Sequence, residues 1–118
     1  MTSREAVMAF SQSEKIKAGL IWASQAAEQS AALPELEKKG ASGVIRTMLA
    51  MISHELHLAA KLGGGELWRE IEKHVDMAMV MIDSQVLSEA AFHLTRALSR
   101  TTTIGQRAMM VLRENRLI

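Results

Sequence analysis

Apolar residues recur at alternating steps of three and four along most of this chain, which is the spacing of one face of an α-helix. Four such stretches can be traced, at about residues 2–32, 44–62, 66–83 and 86–116. The apolar face of the first is built largely of small residues, which allow close approach of a neighbouring helix. These are Ala6, Ala9, Ser13, Ile16, Leu20, Ala23 and Ala27. The pattern predicts an all-α protein of four helices.

The residues between these stretches predict the turns. Proline at position 34 disfavours helical geometry at Leu33 and should end the first helix. Residues 40–43 (GASG) suggest a loop with Ser42 as the next N-cap. Residues 63–65 (GGG) suit a helix cap and turn, because glycine adopts left-handed backbone angles without steric cost. Connections this short favour an up-and-down four-helix bundle with long first and fourth helices and shorter middle helices.

Two details refine the helices. Thr2 and Glu5 have the spacing of a capping box, in which each side chain binds the other residue's backbone N–H. The first helix should therefore begin at Thr2 or Ser3. In the fourth helix, the threonines at 101–103 and Gly105 are weak helix formers, so we expect a local kink there.

Composition restricts the kind of protein. The chain has 118 residues, 48% apolar and 23% charged, which is the size and balance of one globular domain. The absence of cysteine excludes disulfides, thiolate zinc sites and a cysteine nucleophile. The N-terminal residues lack an apolar run of signal-peptide length, and no window reaches the length of a membrane span. We expect a single cytoplasmic domain that is not bound to a membrane.

Charge is unevenly distributed. Residues 84–118 carry five arginines and two glutamates, a net charge of +3, whereas residues 1–83 carry nine basic and eleven acidic residues, a net charge of −2. Arg96, Arg100 and Arg107 share a broad face of the last helix, and clustered arginines can bind phosphates. No nucleic-acid recognition motif accompanies them and the pI is about 8.2. We interpret them as a solvated basic face and do not expect nucleic-acid binding.

The histidines suggest a metal site as one alternative. They are His54, His57, His74 and His93. Glu70 precedes His74 by four residues and Glu89 precedes His93 by four, so each pair shares a helix face. Metal sites in helical bundles use a Glu-x-x-His spacing, which is absent here, and the HELH sequence is not the HExxH zinc motif. We interpret the histidines as surface residues with local Glu–His pairs and expect no cofactor.

The spacing around His54 supports a second alternative. The residues concerned are His54, Leu56, Leu62, Gly63 and Leu67. This spacing resembles the histidine phosphotransfer (HPt) domain of two-component relays, which carries an exposed histidine on the second helix of a bundle. His57 and Leu58 replace the lysine and glycine that make the family's motif specific. The resemblance implies His54 as phosphoryl acceptor, with Lys61 as a displaced cation.

Apolar residues outside the predicted core faces point to a third function. Five large apolar residues of three helices should face outward: Trp22, Met77, Val80, Met81 and Phe92. Exposed apolar patches this numerous are unusual for a monomer, and methionine suits surfaces that adapt to a partner. A core wider than one stripe per helix would bury some of them within a single chain. The sequence favours a non-catalytic interaction or adaptor module that self-associates as a homodimer through these residues.

Overall fold

The computed structural model describes all 118 residues and contains four helices and no strand. They are α1 (Ser3–Ser30), α2 (Glu35–Leu62), α3 (Gly65–Asp83) and α4 (Leu87–Glu114). Each helix packs against two neighbours, in the ring order α1, α2, α3, α4, and the α1–α4 pair is the most extensive. The protein is 53 Å long and 21 by 16 Å across. The predicted all-α, four-helix bundle is confirmed.

Contacts between helices show that consecutive helices run antiparallel. Residue 12 of α1 contacts residue 55 of α2, and residue 19 contacts residue 52. Across α2 and α3, residue 57 pairs with residue 72 and residue 46 with residue 83. As numbers rise along one helix they fall along its neighbour, which is the up-and-down arrangement. No helix is both long and apolar enough to span a membrane.

The start of α2 differs from the prediction. Residues 40–43 are helical, not a loop, and α2 begins directly after Pro34. Proline suits the start of a helix because it has no N–H to leave unpaired. Ser42 is not an N-cap: it is buried, and its hydroxyl donates to the Lys38 carbonyl at 2.9 Å. With 28 residues α2 is as long as α1 and α4, so only α3, with 19, is short.

Other boundaries follow the sequence more closely. Thr2 caps α1 in the predicted capping box. The Thr2 N–H donates to the Glu5 carboxylate at 3.0 Å, and the Glu5 N–H donates to the Thr2 hydroxyl oxygen at 3.1 Å. Gly63 and Gly64 have positive φ angles of 143° and 67°, and they form the turn between α2 and α3. α4 is one uninterrupted helix from Leu87 to Glu114, through the threonines and Gly105 where the sequence suggested a kink.

The buried core is one cluster built from the predicted apolar faces of all four helices. Every predicted α1 face residue is buried, including Ser13, and Trp68 of α3 is the largest fully buried side chain. Trp68 is also the only aromatic residue in the cluster. The rest of the core is mainly alanine, leucine and isoleucine, which suits close helix–helix packing.

Candidate functional site

An apolar groove runs between α1 and α2 on one side of the bundle. Its volume is about 670 Å³. The residues that define it are Ala18, Gly19, Trp22, Met48, Met51 and Ile52. Trp22 and Met51 are 66% and 65% exposed, although they are among the largest apolar side chains of the chain. We call this groove and the residues around it the α1–α2 face.

Small residues form the α1 side of the groove floor. A Cβ atom added to Gly19 would lie 3.1 Å from Ile52 Cγ1, so the two helices approach closely at this point. Ala18 adds only a methyl group beside it. Trp22 and Met51 then project on either side of this floor. The result is a concave apolar surface bordered by a large aromatic side chain.

Polar residues lie at one end of the groove. The Gln12 side-chain amide donates to the Glu55 backbone carbonyl at 3.2 Å and to its carboxylate at 3.1 Å. Lys15 lies 3.4 Å from the same carboxylate. The hydrogen bond from Gln12, together with the positive charges of Lys15 and His54, lowers the pKa of Glu55. The α1–α2 face therefore carries one fixed carboxylate and one ammonium group beside an apolar surface.

The apolar surface continues along α2 beyond the groove. Val44, Met51 and Leu58 are spaced seven residues apart, so they lie on one side of the helix, and all three are exposed. Sequence reasoning missed this stripe because it assigned one apolar face to α2 and did not consider the apolar residues outside that face. The spacing of seven was the signal that could have revealed it.

The five predicted interface residues do not form one surface. Trp22 borders the α1–α2 groove, whereas Met77 and Val80 are exposed on α3 and Phe92 is exposed on α4. Met81 is only half-exposed and packs against the core. Because the helices follow one another around a ring, the α3–α4 side lies opposite the α1–α2 face. The prediction joined residues that the structure places on two opposite sides.

A cluster of charged and aromatic residues occupies the α3–α4 side. Arg100 lies 3.2 Å from Glu70, and the Arg96 guanidinium lies 5.0 Å from the centre of the Phe92 ring. The Phe92 ring packs edge-on against His93, with the two ring centres 5.6 Å apart. His93 is 9% exposed, so its interpretation as a surface residue was wrong. It is buried because its side of α4 faces α3, a second packing direction outside the main apolar stripe.

The α3–α4 cluster also holds two imidazoles, those of His74 and His93, whose Nδ1 atoms are buried without a hydrogen-bond partner. Burial lowers the pKa of His74, and so do the nearby guanidinium groups of Arg96 and Arg100. The Glu70 carboxylate opposes this effect. Neither expected Glu–His pair on one helix forms a salt bridge; the histidine that does so is His57, which lies 2.8 Å from Glu72 across α2 and α3.

The low pKa of His74 predicts acid-sensitive stability. A histidine with a folded-state pKa below its ordinary 6.5 binds fewer protons in the folded than in the unfolded chain. Its contribution to the free energy of unfolding therefore falls as pH drops through about 6.5. We expect the melting temperature to decrease between about pH 7.5 and pH 5, and the decrease to be smaller in His74→Gln. Thermal unfolding followed by circular dichroism measures both, and an identical pH dependence in the two proteins would contradict the assignment.

The residues of the phosphotransfer and metal alternatives are placed as follows. His54 is exposed on the rim of the α1–α2 groove, and Lys61 is exposed two helical turns further along α2. His57 points toward Glu72 of α3, whereas His54 lies on the α1–α2 groove. No group of three or more histidine or carboxylate side chains is arranged to hold a metal ion.

Comparisons with protein-family models, curated proteins and solved structures return no match to this chain. Function must therefore be argued from the geometry of the two surfaces.

Proposed function

We propose that this protein is a non-catalytic helical interaction module that forms a homodimer through its α1–α2 face. The observation that carries the proposal is Trp22, two-thirds exposed at the edge of an apolar groove. Leaving so large an apolar side chain in water is unfavourable, since burial of an aromatic side chain contributes roughly 1.5–3 kcal/mol. Tryptophan is also the residue type most enriched among the energetic centres of protein interfaces.

A second copy is a suitable occupant because the face combines a projecting side chain with a depression. A two-fold interface places the same surface patch of both copies in contact, so each projection must meet a depression from the same patch. Trp22 supplies the projection, and the floor around Ala18 and Gly19 supplies the depression beside it. Each copy could therefore insert Trp22 into the groove of the other.

Charge also permits this pairing. The α1–α2 face carries both an ammonium group, on Lys15, and a carboxylate, on Glu55. In a two-fold pair each sign can face the opposite sign of the second copy, so self-association brings no obligatory like-charge contact.

One side of the bundle is also large enough for a dimer interface. A side of the bundle is 53 Å long and 16 to 21 Å wide, which is the scale of the roughly 800 Å² that each partner contributes to a standard interface.

The direct test compares the solution mass of the wild type with that of Trp22→Ala. We expect a wild-type dimer whose dissociation constant rises by about 30-fold or more in the variant, because a central interface tryptophan contributes about 2 kcal/mol or more. Sedimentation equilibrium over a concentration series gives both constants. Phe92→Ala is the matched control: it also removes an exposed aromatic side chain, but from the opposite side of the bundle.

Two results would contradict the proposal. One is a wild-type protein that stays monomeric at the highest concentration examined. The other is a dimer that Phe92→Ala dissociates and Trp22→Ala leaves intact, which would place the interface on the α3–α4 side. Circular dichroism of each variant shows whether a change in mass reflects the interface or a loss of folding.

A further inference from the structure

The α3–α4 side differs in chemistry from the α1–α2 face, although it is also apolar in part. Met77 and Val80 are exposed on α3, and Phe92 is exposed on α4. Because α3 and α4 run antiparallel and Arg100 pairs with Glu70, Phe92 lies level with residue 78, between Met77 and Val80. The three side chains therefore occupy one end of this side, at the same height along the bundle.

Basic groups adjoin this apolar end. Arg96 follows Phe92 by one helical turn and lies over its ring, and it forms no salt bridge. Arg100 follows one turn later and forms a salt bridge with Glu70. Lys73 is exposed on α3 and is likewise without an acidic partner. Glu89, exposed one turn before His93, is a second carboxylate on this side and forms no salt bridge. Three cations thus face two carboxylates beside these exposed apolar residues.

We propose that the α3–α4 side binds an acidic amphipathic helix of another protein. The apolar face of such a helix would cover Met77, Val80 and Phe92, while its carboxylates would pair with Arg96 and Arg100. An amphipathic helix that lays apolar anchors at helical spacing on an apolar surface of its partner is a recurrent mode of peptide recognition. Arginine suits the charged part, because its planar guanidinium can bind a carboxylate through two parallel hydrogen bonds.

A second copy is a poor occupant of this side. A two-fold contact centred on Arg96 brings the Arg96 residues of both copies together, and like charges in contact are unfavourable. An acidic partner neutralises them instead. The environment of His74 agrees with this, since Arg96 and Arg100 together lower its pKa and only Glu70 raises it. The proposal is independent of the homodimer, which uses the opposite face.

A synthetic peptide provides the probe. It has about 20 residues, long enough for a helix, with leucine along one helical face and glutamate at the positions that flank that face. One control peptide carries lysine in place of glutamate, and another has the same composition in shuffled order. Fluorescence anisotropy of labelled peptide measures binding to the full chain. We expect binding of the acidic amphipathic peptide and weaker binding of both controls.

The decisive variant is Arg96→Glu/Arg100→Glu. We expect it to bind the acidic peptide at least about tenfold more weakly and to gain affinity for the lysine peptide. Lys39→Glu/Lys61→Glu is the matched control, since it changes the net charge equally at two exposed lysines of α2 that form no salt bridge. That control should bind the acidic peptide nearly as the wild type does. If the charge-reversed variant does not fold, Arg96→Gln/Arg100→Gln replaces it, and Met77→Ser/Val80→Ser tests the apolar part.

Several outcomes would overturn the proposal. Absence of peptide binding would do so, as would equal binding of the shuffled peptide, which lacks an amphipathic face. If the α2 control weakened peptide binding as much as the arginine variant does, the effect would come from net charge and not from this surface. Binding of vesicles containing anionic phospholipid without binding of the peptide would assign the surface to a lipid instead. A further supporting result would be a higher pKa of His74 in NMR titrations of the complex, because a carboxylate of the peptide would lie beside that imidazole.

Discussion

Trp68→Ala is expected to remove about 3–5 kcal/mol from the free energy of unfolding, which is a large part of the stability of a typical small domain. Trp68 is 1% exposed and is the only aromatic residue of the core. It lies in the first turn of α3, whose start has no side-chain cap. Its packing therefore does much to fix the beginning of α3 on the bundle, and truncation leaves a cavity that small neighbouring residues cannot fill.

The other tryptophan provides the control. Trp22→Ala removes the same atoms from an exposed position, so it should change the stability of the folded monomer by about 0.5 kcal/mol or less. Chemical denaturation at a protein concentration low enough to keep every variant monomeric measures both effects, because dimerisation would add a concentration-dependent contribution to stability. The assignment of the core would be contradicted if Trp22→Ala lowered the free energy of unfolding of the monomer as much as Trp68→Ala does, or more.

Gly105→Leu is the second substitution with a large expected effect. Gly105 is buried where α4 meets α1, and a Cβ atom at this position would lie only 2.8 Å from the Ser13 hydroxyl oxygen. Ser13 is itself buried and donates to the Phe10 carbonyl. A leucine would force apart the most extensive helix pair of the bundle, and we expect a loss of about 3 kcal/mol. Urea unfolding of both proteins gives the difference.

Gly43→Leu is the corresponding control. Gly43 lies within α2, and no atom lies within 4 Å of a Cβ added there. The substitution should therefore stabilise the protein by up to about 1 kcal/mol, because glycine is a poor helix former. Opposite signs for the two glycines would support both the α1–α4 packing and the helical state of residues 40–43. Destabilisation by Gly43→Leu would instead favour the loop that the sequence predicted.

The two proposed surfaces assign different roles to similar residue types. The groove that Trp22 borders has charges of both signs at one end, and Phe92 lies against the unpaired Arg96. We therefore expect a symmetric contact on one side of the bundle and an acidic partner on the other. A module with two such opposite faces would be able to hold a partner while it is dimeric.

The sequence alone predicted the fold class and most of the core. The helical spacing of apolar residues is a local property, and a face with that spacing has to be buried whatever covers it. The four apolar faces, the capping box at Thr2 and the glycine turn at 63–65 could be predicted for this reason. Glycine and proline act through their own backbone geometry, so their effect on turns needs no knowledge of the neighbours.

The tertiary structure decided what depends on the neighbours. Residues 40–43 have weak helical propensity, yet they are helical, and Ser42 packs in the bundle with its hydroxyl 3.4 Å from Gln85 Oε1. His93 is buried because each helix packs against two others, so the buried part of α4 is wider than one stripe. The order of helices around the ring separated Trp22 from Phe92 and brought Met51 beside Trp22. A one-dimensional pattern specifies which side of each helix is apolar, whereas the neighbour that each side meets is fixed only when all four helices pack together.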